Sequence, residues 1–277
     1  MSEDQSLEDL LEEAEDRLDE DDFTGCRDVC LSILTRDPER GEALALLAAA
    51  LINLDEPEEA LEKAELALEK SPDSALAQYY YGEVLEDFGR LEEALAAYEK
   101  ATELDPEDLW SLLNSGEILE ELNRLDDALV RYEKALELEP DEPWVYINMS
   151  SVLAGLGRTD EAQDALKKSI ELDPEESAAY VAWGILLEDA ELFDLAVEKY
   201  KIALELDPEE IDALIGWGNV LRETGHPEEA ISKYQEASRL DPEEPWAYIF
   251  RGNVLEELGR EEEARELYEK ARELEEG

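Results

Sequence analysis

The sequence has 277 residues, and its 24 basic against 78 acidic side chains give a formal net charge of −54. Such a charge repels nucleic acid and anionic membranes, which excludes both as expected partners. A hydrophobic share of 44% is still enough for a folded core, unlike an acidic disordered tail.

Residues 1–6 read as a short tail, and MSEDQSLEDLLEEAED has neither the basic start nor the apolar stretch of a secretory signal. From Leu7 onward apolar residues recur at spacings of three and four, the helical period, in paired runs separated by a short break. The first pair is rich in apolar residues (Leu7, Leu10, Leu11, Leu18, Val29, Leu31, Ile33, Leu34), so the expected monomer has dimerisation through this end as its alternative. It also holds Cys26 and Cys30, which with the single His226 supply neither a disulfide framework nor four zinc ligands. They read as packing residues in a reducing cytoplasm, and no cofactor or metal is expected. The second pair contains the longest apolar run, Ala43 to Leu54, short of the roughly 20 residues that cross a bilayer.

The third pair shows the pattern most clearly, as LAQYYYGEVLEDFG followed by RLEEALAAYEKATELDP. Its proline belongs to a series, Pro38, Pro72, Pro106, Pro140, Pro174, Pro208 and Pro242, each 34 residues after the last. Other positions keep the same period: Cys26, Ala60, Ala94, Ala128, Ala162, Ala196, Ala230 and Ala264, then Cys30, Ala64, Tyr98, Tyr132, Leu166, Tyr200, Tyr234 and Tyr268. A third series is small: Ala14, Ala48, Gly82, Gly116, Ser150, Gly184, Gly218 and Gly252. The breaks carry Gly89, Asn123, Gly157, Gly225 and Gly259, residues suited to a left-handed helix end. Each unit is therefore an antiparallel helix pair whose small residues let the helices approach while a ring fills the space beside them.

These residues resemble the tetratricopeptide repeat, whose pattern of an aromatic, Leu-Gly, an aromatic, Ala, Phe or Tyr, and Pro is matched at most positions from 7 to 277. The expected fold is all-α, a right-handed α-solenoid of eight helix-turn-helix units at 7–40, 41–74, 75–108, 109–142, 143–176, 177–210, 211–244 and 245–277. Departures are Cys26 and Cys30 in unit one, Ala64 in unit two, Ser150, Leu166 and Ser169 in unit five, and Glu276 in place of a last proline. The last helix, Glu261 to Glu276, is charged enough to cap the array.

No enzyme is expected. His226 lies in the turn GHPEEA, no phosphate-binding glycine loop occurs, and DEDD at Asp19 to Asp22 lacks the alternating ligands of a calcium loop. The resemblance implies instead a surface for a protein or peptide on the concave side, formed by the first helix of each pair. In units three and four its residues would be Tyr79, Glu83, Glu86, Asp87, Trp110, Leu113, Glu117, Glu120 and Glu121. Unit five would offer the uncharged Trp144, Ile147, Ser151, Ala154 and Gly155. Units six to eight would offer Glu188, Asp189, Asn219, Arg222, Glu223, Trp246, Ile249, Asn253, Glu256 and Glu257. Trp110, Trp144 and Trp246 stand two residues before the family's buried aromatic, whereas Trp183 and Trp217 take its buried leucine position and read as packing.

The Lys and Asn by which some family members hold the C-terminus of large chaperones are replaced here by Tyr79, Leu113, Ile147, Val181 and Ile215. Aromatic anchors among carboxylates suit a basic or amphipathic partner segment. A polyanionic buffer of basic proteins, or a regulatory subunit of an enzyme encoded elsewhere, are the alternatives. Ten Lys to fourteen Arg among so many acids is similar to proteins of salt-loving microbes, although Glu, which outnumbers Asp, is also a helix former.

Overall fold

The structure is a computed structural model that describes residues 5–275. Residues 1–4 of the expected tail, and Glu276 at the place of the missing proline, lie outside the described residues. Among the described residues there are sixteen helices and no strand. The first helices of the pairs are α1 (Leu7–Asp19), α3 (Gly41–Asn53), α5 (Ala75–Asp87), α7 (Leu109–Glu121), α9 (Pro143–Gly155), α11 (Ser177–Asp189), α13 (Ile211–Glu223) and α15 (Pro245–Glu257). The second helices are α2 (Phe23–Arg36), α4 (Pro57–Lys70), α6 (Leu91–Leu104), α8 (Leu125–Leu138), α10 (Thr159–Leu172), α12 (Phe193–Leu206), α14 (Pro227–Leu240) and α16 (Glu261–Glu275). Every first helix starts where the 34-residue frame begins a unit.

The breaks form by one device. The residue after the C-cap is left-handed in all eight pairs: Asp21, Asp55, Gly89, Asn123, Gly157, Glu191, Gly225 and Gly259. Around it two backbone bonds close the end of the first helix; in the third pair Gly89 N–H donates to the Glu86 carbonyl at 2.7 Å and Arg90 N–H to that of Leu85 at 2.9 Å. This satisfies carbonyls that a helix end would otherwise leave unpaired. In units with a proline the second helix ends two residues before it, and where the residue between them is an aspartate (Asp37, Asp105, Asp173, Asp207 and Asp241) it accepts from the second following amide, as Asp105 does from Glu107 at 3.1 Å.

The two small-and-large series interlock. A Cβ on Gly82 would come within 2.6 Å of the Tyr98 ring, and Gly116, Gly184, Gly218 and Gly252 face Tyr132, Tyr200, Tyr234 and Tyr268 in the same way. Where the larger position carries no ring, at Cys30, Ala64 and Leu166, the smaller position has a side chain, Ala14, Ala48 and Ser150. Cys26 and Cys30 are fully buried, with their sulfurs 4.0 Å apart. They pack as expected.

The chain divides into two compact units at a repeat boundary, one running to Pro140 with α1 to α8 and one from Asp141 with α9 to α16. Within each, first helices of successive pairs pack on one another, α1 on α3 and α3 on α5, then α9 on α11 and α11 on α13. No two successive second helices pack as extensively among the described residues, so the first helices are the more closely spaced, inner set of each unit. At the N-terminal end Leu10, Leu11, Val29 and Ile33 are buried, and Leu31 is the exposed member of that apolar set.

Candidate functional site

In the first unit the inner faces of α3, α5 and α7 line an open cavity of about 350 Å³. Glu83, Glu86 and Asp87 project from α5, with Asn114 of α7 and Asn53, Ile52 and Ala49 of α3 around them. Glu83 and Glu86 are three apart and so share a helix face. Both are half-buried and fixed by tyrosines: Tyr79 Oη donates to Glu83 at 2.8 Å and Tyr98 Oη to Glu86 at 2.9 Å. Asn114 Nδ2 donates to Tyr98 Oη at 3.2 Å and to Tyr79 Oη at 3.5 Å, which ties α7 to α5 and α6.

Burial pushes the Glu83 carboxyl up to about 7, reinforced by Glu86 and opposed by the hydrogen bond from Tyr79. Burial also raises Glu86, opposed by the bond from Tyr98 and reinforced by Glu121. The charges acting on this pair are thus other carboxylates.

The remaining inner residues of the first unit differ in depth. Leu113 is completely buried, so it supports the surface from below and offers a partner no contact. Glu117 and Glu121 are exposed and Glu120 half-buried. Trp110, at the start of α7, is 57% exposed.

The second unit has a different inner chemistry. Trp246, 54% exposed, stacks on Phe250 at 5.8 Å between ring centres, and Phe250 in turn lies 5.9 Å from the buried Tyr234 ring. Tyr234 Oη donates to Asn219 at 2.8 Å, Tyr268 Oη to Asn253 at 2.8 Å and to Glu256 at 3.2 Å, and Tyr200 Oη to Glu188 at 2.8 Å. Arg222 pairs with Glu223 at 3.0 Å and reaches Glu257 at 4.0 Å. Ile147, Ile249 and Trp144 are half-buried, Ala154 is half-buried, and Ser151, Gly155 and Asp189 are exposed.

Ile185 was not among the expected site residues, yet it is 49% exposed at the place that holds Glu83, Glu117, Ser151, Asn219 and Asn253 in other pairs. The 34-residue frame was the signal that could have found it. Trp183 and Trp217 pack against the α11 to α13 core but are only partly buried. Lysines cover what remains: Lys199 Nζ lies 3.8 Å from the Trp183 ring centre, and Lys233 and Lys201 lie 4.4 Å and 5.0 Å from that of Trp217. His226 is an exposed turn residue, its Nδ1 3.2 Å from Thr224 Oγ1.

An α-solenoid of stacked helix pairs is the class these features define. Tetratricopeptide repeat signatures match residues 46–108, 97–130, 119–182 and 215–276, and the chain belongs to the tetratricopeptide repeat family. No curated protein matches the sequence. Among solved structures, the chain is similar to a tetratricopeptide repeat protein from Parabacteroides merdae, with a TM-score of 0.72 at 18% identity over 85% of this chain and 93% of that one. It is similar to yeast Tom70 with a TM-score of 0.73 at 22% identity, over 99% of this chain and 61% of that one. It is also similar to a chain of the APC/C hetero-tetramer Cut9–Hcn1, with a TM-score of 0.65 at 16% identity over 91% of this chain and 50% of that one. At these identities the likeness is one of fold. Among the described residues no helix is long and apolar enough to cross a membrane, and no group of three or more His, Cys, Asp or Glu could hold a metal ion.

Proposed function

We propose that this chain is a non-catalytic scaffold that holds a basic or amphipathic segment of a partner protein against the inner faces of its first helices. The observation that carries the reading is the exposure of large aromatic side chains on first helices: Trp110 of α7 and Trp246 of α15 each leave more than half their surface to solvent. Such rings contribute most when a partner desolvates them, and surrounding carboxylates favour a segment in which apolar residues alternate with Lys or Arg. A pre-formed helical surface leaves the ordering cost to the segment alone. The similar Cut9–Hcn1 structure is a hetero-tetramer, so a protein of this fold works in company with another.

A second reading has its own support. Glu92, Glu93 and Glu103 are exposed on α6, away from the inner face, as befits a polyanion that shields basic proteins without choosing among them. The two separate in one experiment: capture of partners from native lysate at low and moderate salt, with wild type and a folded Trp110→Ala, Trp144→Ala, Trp246→Ala variant. The scaffold reading expects a partner that survives moderate salt on the wild type and is lost with the variant. A salt-sensitive mixture of basic proteins on both would sink it in favour of the buffer.

A further inference from the structure

The cavity between α3, α5 and α7 has a lining whose donors are almost all spent. Both tyrosine hydroxyls donate to carboxylates, Tyr79 to Glu83 and Tyr98 to Glu86. Because those hydroxyls have given up their protons, they can only accept from Asn114, which directs its Nδ2 at both and leaves its carbonyl oxygen as an acceptor. Asn53 donates from Nδ2 to the Ala49 carbonyl of its own helix at 2.9 Å. With Glu83 ionised, what is left facing the cavity, one Nδ2 proton of Asn53 apart, is acceptor: carboxylate oxygens of Glu83, Glu86 and Asp87 and amide oxygens of Asn53 and Asn114. Ile52 and Ala49 add an apolar wall. A group that donates at several points, carries positive charge and arrives on an aliphatic stem satisfies all of this at once.

We propose that this cavity is a socket for one cationic side chain, Lys or Arg, of the partner segment. The inference rests on the scaffold reading above and names the chemistry of one of its contacts. Inorganic cations fit the site less well, because Ile52 and Ala49 have no oxygen to offer and the residues do not form a metal-binding group.

Loading the socket is linked to a proton. Glu83 titrates near 7, and an arriving ammonium or guanidinium favours its charged form. The groups facing it are Tyr79 and Glu86 on α5 and Tyr98 on α6, while Glu121 of α7 acts on Glu86. Tyr80 links it to Glu15 and Asp19 of α1; α3 contributes Asn53 and apolar side chains, and Glu65 of α4 acts on Tyr81 instead. No cation stands among the groups acting on Glu83, so the partner's side chain would supply the missing charge.

The test titrates the full chain with Nα-acetyl-lysine methylamide and, in a second arm, Nα-acetyl-arginine methylamide, following the Glu83 and Glu86 carboxyl carbons by NMR. Nα-acetyl-norleucine methylamide is the uncharged control. The expected result is that one of the cationic probes lowers the Glu83 midpoint from about 7, with affinity rising up to about tenfold per pH unit below that midpoint and levelling above it. Glu83→Gln should remove the slope. Asn53→Lys, at an exposed position, should lower the Glu83 midpoint without probe and block the probe. An unmoved midpoint, equal binding of the norleucine control, or the same displacement by NaCl or CaCl2 at equal concentration would each overturn the socket. Because the probes are small molecules, the socket can fail while partner capture succeeds, and the reverse.

Discussion

Glu191 has φ +57°, where every other pair has Gly, Asn or Asp. A long side chain gains nothing in the left-handed region that glycine enters freely and that Asn and Asp tolerate through local hydrogen bonds. Glu191→Gly should therefore stabilise the chain by about 0.5–1 kcal/mol, net of glycine's larger loss of freedom on folding. A urea unfolding midpoint that stays or falls would show that the strain is relieved elsewhere. Glu83 makes a pH-dependent contribution of known sign. Its folded value, about 7, lies above the ordinary 4.5, so the folded state binds the proton more tightly and stability from this group is complete below 4.5. It is lost as pH rises through the interval up to about 7 and is constant beyond. Relative to Glu83→Gln, the wild type should lose stability between about pH 4.5 and about pH 7 in unfolding titrations, and a constant difference would refute the assignment.

At the scale of the helix pair, the small residue on the first helix and the ring on the second are one packing unit. Gly82→Ala would drive a Cβ into the Tyr98 ring, at a cost of about 1–3 kcal/mol. Combining it with Tyr98→Leu, the Ser150 and Leu166 solution of unit five, should cost less than the two single changes added together. A double-mutant cycle by denaturant unfolding measures this, and strict additivity would disprove the coupling. Much of this level was legible in the sequence. One 34-residue period carries the helix starts, the left-handed breaks and both packing series, because each recurs where the backbone geometry recurs. Depth within the inner face was not legible. Tyr79 and Leu113 share a place in the frame, yet Leu113 is wholly buried and Tyr79 only partly, since the frame assigns a face while neighbouring side chains decide how much covers it. For the same reason the frame put Glu83, Glu86 and Glu188 on the partner-facing side without showing that each accepts a tyrosine hydroxyl from its own or the following helix.

For the molecule as a whole, charge decides how salt acts. With 78 acidic and 24 basic side chains, most carboxylates have no cation to pair with, and their mutual repulsion opposes the compact state. The ion pairs that do form are largely short-range and solvent-exposed, such as Arg90 with Glu93 at 2.7 Å and Arg158 with Glu161 at 2.6 Å, and pairs of this kind contribute little. The screening length falls from about 30 Å at 0.01 M salt to about 3 Å at 1 M, so added NaCl removes far more repulsion than attraction. Thermal stability should rise over that range. Capture of a basic segment should respond in the opposite sense, because the same screening weakens attraction between segment and surface, leaving the contribution of Trp110 and Trp246 to hold it. Measuring Tm and partner affinity along one salt series separates the two functions of the acids. If both rise together, apolar burial dominates recognition and the carboxylates serve the fold's environment rather than the partner. If stability is flat with salt, the repulsion is already relieved by counterions in the folded state, and the acid surface is then not a source of strain.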